Sequence, residues 1–334
     1  MPLELDFVEA LVQERFGITT RAARLTGDRD ENFRLQVGEG PGYVLKVVPT
    51  GESAAAADLL PAVLTHLERA GAELPVPRVV RSREGHSQVT FNDAAGAVRI
   101  ATLCTYLPGK LLMSTTRCSG QRRACGKLLA QLAGALRTFD HAAARREVAW
   151  DVAQVPKLAG VIPHVPGLPS PDFLLDFVRR FTIEIAPRLA RQRHQFVHND
   201  FNARNILVDP DDESRVVGII DFGDAVHTAL VADVAVGVTG QLATPETAQD
   251  AIREFVAAYC EVEPLREEEL GLLNWLIAGR TVLNAVLTAW RRARESSGGH
   301  FEAFDSAYFG WRIELARRLV SQSNSSIGGA NVKS

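Results

Sequence analysis

Two short polar clusters carry the chemistry open to this chain. The first is His198-Asn199-Asp200-Phe201-Asn202-Ala203-Arg204-Asn205; the second, sixteen residues past Asn205, is Asp221-Phe222-Gly223-Asp224. Two carboxylates and an amide at this spacing suit phosphoryl transfer. Asp200 would accept a hydrogen bond from an acceptor hydroxyl and aim its oxygen. Asn205 and Asp221 would offer hard oxygens to Mg²⁺, Asp221 where the metal bridges the β- and γ-phosphates of a nucleoside triphosphate. An isolated Asp-Phe-Gly is ordinary turn sequence. The full order is more specific: His-x-Asp-x-x-x-x-Asn, an apolar strand over 206–208, a turn over 210–214, an apolar strand over 216–220, then Asp-Phe-Gly. His198 reads as a brace of this loop rather than as a base. Arg204 suits either the phosphates or solvent.

Lys46 is the second anchor, mid-strand between Leu45 and Val47. A lysine on a strand after a hairpin can reach the α- and β-phosphates. It needs an acidic partner on the next helix, and Asp58 is the choice, ahead of Glu52 and Glu68. The turn over 27–32 holds one glycine, so it carries no dinucleotide or triphosphate-loop fingerprint. The backbone N–H of Asn32 and its neighbours could still line the triphosphate. Backbone groups of Cys104 and Tyr106, on the stretch Leu103-Cys104-Thr105-Tyr106, are the expected edge for a purine base.

The elements that must position these groups follow from apolar periodicity. A helix is expected over 3–16. Strands follow over 22–25, 33–37, 43–48, 87–91 and 98–106, with a helix over 53–69: a five-stranded antiparallel sheet with one helix. Pro61 falls awkwardly inside that helix. Beyond Leu107-Pro108-Gly109-Lys110 the chain reads as helical over 119–140, 172–193 with a kink at Pro187, 231–240, 244–260, 267–295 and 301–320, interrupted by the strands flanking the second cluster. The fold class is therefore α+β and bilobal. A small antiparallel β lobe with a leading helix spans 1–106, a larger mainly helical lobe 107–320, and a Ser-, Asn- and Gly-rich tail, 321–334, is expected to be disordered. Two lobes offer a cleft for ligands.

Bulk properties remove other classes. Net charge is −3, with no basic stripe, which argues against a nucleic-acid partner. Cys104, Cys118, Cys125 and Cys260 form no CxxC pair or zinc pattern. No run of 18 apolar residues suggests a membrane span. The start, Met1-Pro2-Leu3-Glu4-Leu5-Asp6, lacks the basic and apolar regions of a secretory leader, so a cytoplasmic chain is expected, as monomer or homodimer.

The two clusters, with Gly218-Ile219-Ile220 before the second, resemble the aminoglycoside phosphotransferase and choline kinase superfamily. A narrower likeness, to hydroxylysine kinases, rests on Asp28-Arg29-Asp30-Glu31-Asn32-Phe33, Leu103 to Gly109, and Val231-Ala232-Asp233-Val234-Ala235. The resemblance runs from about residue 20 to 320. It implies a protein-kinase-like fold and an Mg²⁺-dependent small-molecule kinase. This would transfer the γ-phosphoryl of ATP or GTP to an alcohol on a cationic acceptor, with 5-hydroxylysine foremost. Lys46 would hold the phosphates, Asp200 act as base, Asn205 and Asp221 hold Mg²⁺, and Asp233 brace the catalytic loop. Asp58 departs from the family's Glu. Acceptor candidates are Trp150, Asp151 and Asp224, with Arg280 for a substrate carboxylate. An aminoglycoside, choline or homoserine type kinase is the nearest alternative enzyme. A catalytically dead binding or regulatory protein would have lost one of Lys46, Asp200, Asn205 or Asp221, and all four are present.

Overall fold

Val8, Leu11, Val12 and Phe16 recur at helical spacing and are all buried on one face of α1 (Leu5–Phe16), which ends at Gly17 in the left-handed conformation, φ 75°. A computed structural model describes residues 2–27, 30–70, 73–294 and 306–328. After α1 come β1 (Arg21–Leu25), β2 (Glu31–Gln36), β3 (Tyr43–Val47), α2 (Ala54–Arg69), β4 (Val79–Val80), β5 (Val89–Asn92), β6 (Val98–Thr105) and β7 (Lys110–Leu111). Then follow α3 (Ser119–Leu136), α4 (Pro171–Arg180), α5 (Ala186–Leu189), β8 (His194–Val197), β9 (Ile206–Val208), β10 (Val216–Ile219), β11 (Val226–Ala229), α6 (Leu230–Gln241), α7 (Ala248–Cys260), α8 (Glu267–Arg294) and α9 (Ser306–Gly328).

These elements form two compact units. The first comprises residues 1–115, 138–144 and 204–223; the second, 116–137, 145–203 and 224–334. The first is mainly β and the second mainly helical, the α+β, two-lobed make-up of kinase-like proteins.

In the β-rich unit the main sheet has six strands rather than the five expected. Their order is β1-β2-β3-β6-β4, with β5 also on β6. Strand β4 escapes sequence reading because two residues after Pro75 and Pro77 show no alternation. Phe33, Leu35, Leu45, Val47 and Leu103 turn one face inward against Val8, Leu11 and Val12 of α1. Residues 32, 46 and 102 share the opposite face, because they are direct cross-strand neighbours. Pro61 is tolerated within α2. It cannot donate to the Ala57 carbonyl one turn earlier, and the Gln88 side-chain amide donates there instead, at 2.8 Å. A second sheet, β10-β9-β7, belongs to the same unit. Gly109, at φ 155°, lets it close: a Cβ there would lie 3.0 Å from the Leu207 side chain and 3.1 Å from the Val208 carbonyl.

The helical unit contains an unforeseen two-stranded ribbon, β8–β11, pairing Val197 with Val226 and His194 with Ala229. Four-residue strands inside a helical stretch leave too little periodicity to read. The helix expected over 172–193 breaks into α4 and α5 around a wide turn at residues 181–185, where the Ala186 N–H bonds back to the Phe181 carbonyl. Pro187 cannot donate to Ile183, and the widened turn absorbs that loss. Helix α8 is long and apolar enough to cross a membrane, but 78% of its apolar window is buried inside the fold. Helix α9 runs through Gly328, so residues 321–328 are helical where composition suggested disorder. Residues 329–334, the remainder of that stretch, lie outside the described residues, as do Asp28, Arg29 and Gly71.

Candidate active site

The β9–β10 hairpin of the first unit starts directly after Asn205 and ends two residues before Asp221. Its open end is tied by the Ile220 N–H, which donates to the Asn205 carbonyl at 2.9 Å. Rigid pairing of Ile206 with Ile219 thus sets both oxygen-bearing residues at one edge. Asp221 is left-handed, φ 63°, a conformation Asp adopts more readily than most residues. Its Oδ1 accepts the Gly223 N–H at 3.2 Å.

That same Oδ1 lies 3.2 Å from Lys46 Nζ, 175 positions away in sequence. The lysine side chain is 16% exposed. Burial works against its charge, yet Asp221 and Asp30 hold its pKa above the ordinary lysine value. Lys46 is therefore a fixed cation. Its expected partner Asp58 is elsewhere: that carboxylate lies 3.3 Å from His141 Nε2. Helix α2 packs against residues 142–144, which brings Asp58 to His141.

Asn32 falls within β2, directly across from Lys46, not in an open phosphate turn. Its side-chain Oδ1 is buried, with no hydrogen-bond partner among the described residues. Cys104 pairs with Val44 on one side and Val79 on the other. Burial pushes its thiol up to about 12, although Lys46 opposes the shift. The Tyr106 N–H donates to the Gly42 carbonyl at 3.1 Å, and its ring stacks on Arg34 with the guanidinium 3.4 Å from the centroid. The N–H that sequence offered to a purine is thus engaged inside the β-rich unit.

One carboxylate and one amide oxygen fit Mg²⁺, which takes few protein ligands and completes its shell with phosphates and water. Among the described residues no group of three His, Cys, Asp or Glu side chains makes an all-protein metal cage.

The helical unit holds the remaining candidate residues. His198-Asn199-Asp200 leaves the end of β8, and Asp224 precedes β11 by two residues. The Asn199 side chain joins them, donating to the Asp224 carbonyl at 3.2 Å. His198 is fully buried, and its Nδ1 accepts the Asp200 N–H at 3.2 Å. Asn199 is left-handed, φ 60°, and its N–H donates to Asp233 Oδ1 at 2.7 Å. The His198 backbone bonds to Asp233 as well. Burial raises Asp233 to about 7 despite these two donors and the charge of Arg280.

Asp200 Oδ1 receives two donors: Asn202 Nδ2 at 2.7 Å and Arg280 Nη2 at 2.9 Å. Arg280 is 4% exposed, and its other terminal nitrogen donates to the Trp150 carbonyl. Asp151 caps the 3₁₀ segment that follows it, accepting the Ala153 N–H at 2.9 Å, and takes a hydrogen bond from Thr228 at 3.2 Å. Burial raises its pKa, and these two bonds and Arg280 offset part of that rise. The Trp150 ring faces the Arg291 guanidinium at 4.8 Å. Of the four acceptor candidates, Asp151 and Arg280 are thus buried and internally bonded.

A family model described as "Phosphotransferase enzyme family" matches residues 21–272, three-quarters of the sequence. The chain belongs to the phosphotransferase enzyme family. It is 28% identical over 296 residues to a hydroxylysine kinase of Danio rerio, covering 85% of this chain and 82% of that one. Among solved structures, a microcompartment-associated aminopropanol kinase superposes with a TM-score of 0.71 at 18% identity, over 96% of this chain and 98% of the other. An amicoumacin kinase, in complex with AMP-PNP, Ca²⁺ and Ami, gives 0.70 at 15% identity over 95% and 94%. At such identities these two likenesses speak to fold alone. This phosphotransferase thus has a kinase-like fold whose sequence motifs fall into two structural groups: Lys46, Asn205 and Asp221 in one unit, and Asp200, Asp233 and Arg280 in the other.

Sequence reading missed three features here. Arg280 bonds to Asp200, Asn202 bonds to the same oxygen, and Gly240 lets α6 approach the loop: a Cβ there would lie 2.8 Å from Asn202 Cα. One signal was present. An arginine amid apolar helix positions is buried, and a buried arginine demands a carboxylate.

Proposed function

We propose that this phosphotransferase moves the γ-phosphoryl group of ATP or GTP to the hydroxyl of a cationic hydroxy amino acid, with 5-hydroxylysine the foremost acceptor. The observation that carries the reading is the Lys46–Asp221 ion pair, which joins the strand lysine to the second motif. Lys46 neutralises the non-transferred phosphates. Asn205 and Asp221 would hold Mg²⁺, which when bound spreads the negative charge of the triphosphate and of the transition state. Asp200, held by Asn202 and Arg280, accepts the hydrogen bond of the acceptor hydroxyl and orients its oxygen for in-line attack. It takes the proton as the O–P bond forms and the bond to the nucleoside diphosphate breaks.

The 28% identity to the hydroxylysine kinase of Danio rerio, over 85% of this chain and 82% of that one, supports a cationic acceptor.

The test is a coupled screen of nucleoside-diphosphate release with Mg²⁺. ATP and GTP are offered separately with 5-hydroxylysine, homoserine, choline, ethanolamine and an aminoglycoside. The expected result is preferred turnover of 5-hydroxylysine, abolished in D200N. Preference for another acceptor overturns the substrate assignment. No turnover at all favours a binding or regulatory protein.

A further inference from the structure

We infer that Arg280 is a positioning residue for the catalytic carboxylate, not a ligand for substrate. The inference rests on the reading of Asp200 as base. Asp200 is held at two levels. His198 fixes its backbone, and Asn202 and Arg280 fix its side chain through one oxygen, Oδ1. Asn202 belongs to the same loop and moves with it. Arg280 comes from α8, eighty residues away, and supplies the reference point outside the loop.

That reference point is itself immobilised. Gly279 brings α8 close to the 3₁₀ segment at Val152–Gly160: a Cβ there would lie 3.2 Å from Val152 and 3.5 Å from Val155. The second terminal nitrogen of Arg280 donates to the Trp150 carbonyl, directly before Asp151, whose side chain caps that segment. A planar fork with both terminal nitrogens committed fixes direction as well as charge, which a lysine cannot reproduce. A guanidinium spanning the Asp200 carboxylate and a main-chain carbonyl sets the carboxylate's angle relative to the helical core. A substrate carboxylate would have to displace Asp200 or Trp150 from these bonds.

The variants R280K, D200N and D200N/R280K separate these roles, assayed with 5-hydroxylysine and its decarboxylated analogue 1,5-diaminopentan-2-ol. Lysine keeps the buried positive charge beside Asp151 and Asp233, so the fold is expected to survive; thermal unfolding and nucleotide binding check this. A positioning role predicts that R280K lowers kcat about 100-fold, the scale of a misplaced catalytic group, equally for both acceptors and with little change in KM. It also predicts that D200N/R280K is no slower than D200N alone, because there is no longer a carboxylate to aim. A KM defect confined to 5-hydroxylysine overturns the inference in favour of substrate binding. Full kcat in R280K, additive losses in the double variant, or an unfolded R280K overturn it too. D200N with wild-type turnover instead removes the reading of Asp200 as base, as does a wild type inert toward every acceptor in the screen.

Discussion

Replacing Gly240 with alanine tests whether α6 sets the position of the catalytic loop. Gly240 lies in the last turn of α6, where an added Cβ would meet the backbone of the loop: Asn202 Cα at 2.8 Å and the Phe201 carbonyl oxygen at 3.1 Å. Carbon atoms rest at about 3.5–4.0 Å, so the loop must retreat by roughly 1 Å at Asn202. Neither contact is with a flexible side chain that could swing away. Overpacking of this kind costs about 1–3 kcal/mol, and the better helix propensity of alanine returns about 1 kcal/mol. Net destabilisation should therefore be about 0–2 kcal/mol, and the variant should fold. Catalysis should suffer more. Asn202 bonds to Asp200, and a displacement of about 1 Å at a catalytic group costs on the order of 100-fold in rate. Urea unfolding, nucleotide titration and steady-state kinetics on one preparation would resolve the three effects. Nucleotide affinity should hold, because Lys46, Asn205 and Asp221 belong to the other unit. A folded G240A whose kcat stays within about threefold of wild type would refute the argument that α6 sets the loop.

The buried Asp233 gives the stability a defined pH dependence. Its folded pKa of about 7 is above the value of an unfolded Asp, so the folded state holds the extra proton between roughly pH 4 and pH 7. Stability from this group therefore falls as pH rises through that window, by up to about 1.4 kcal/mol per unit. D233N, which can still accept the Asn199 N–H, should flatten that slope in urea melts taken across the window; an unchanged slope would place the titration elsewhere. The cysteines offer a simpler check. Cys104 and Cys125 are buried, with burial pushing both thiols up to about 12, whereas Cys118 is exposed and Cys260 half-buried. A thiol-specific reagent should modify Cys118 and Cys260 in the native protein and reach the other two only on unfolding. Rapid native modification of Cys104 would contradict its place between β3 and β4.

Much of the local structure is legible in sequence because it is local. The amphipathic spacing of α1, the Gly- and Pro-marked turns and the alternation of Phe33, Leu35 and Val37 each follow from side chains within a few residues of one another. The same holds for the catalytic loop and its flanking strands, whose spacing along the chain is itself the motif. Short elements are the exception. Strand β4, strand β7 and the β8–β11 ribbon span two to four residues each and exist only because a distant partner pairs with them. The Pro61 helix is a similar case. Its interior proline is accommodated by Gln88, distant in sequence, which donates to the Ala57 carbonyl.

The polar partners divide along the same line. Sequence alone determined which groups are present: Lys46, Asp200, Asn205 and Asp221, in the order and spacing that phosphoryl transfer needs. It could not determine who bonds to whom, because a hydrogen bond depends on ångström-scale direction, and residues 80 or 175 positions apart acquire direction only when the chain packs. Tertiary structure therefore decided that Lys46 meets Asp221 while Asp58 meets His141. It likewise decided that Arg280, whose charge fitted a substrate carboxylate, points at the carboxylate of Asp200.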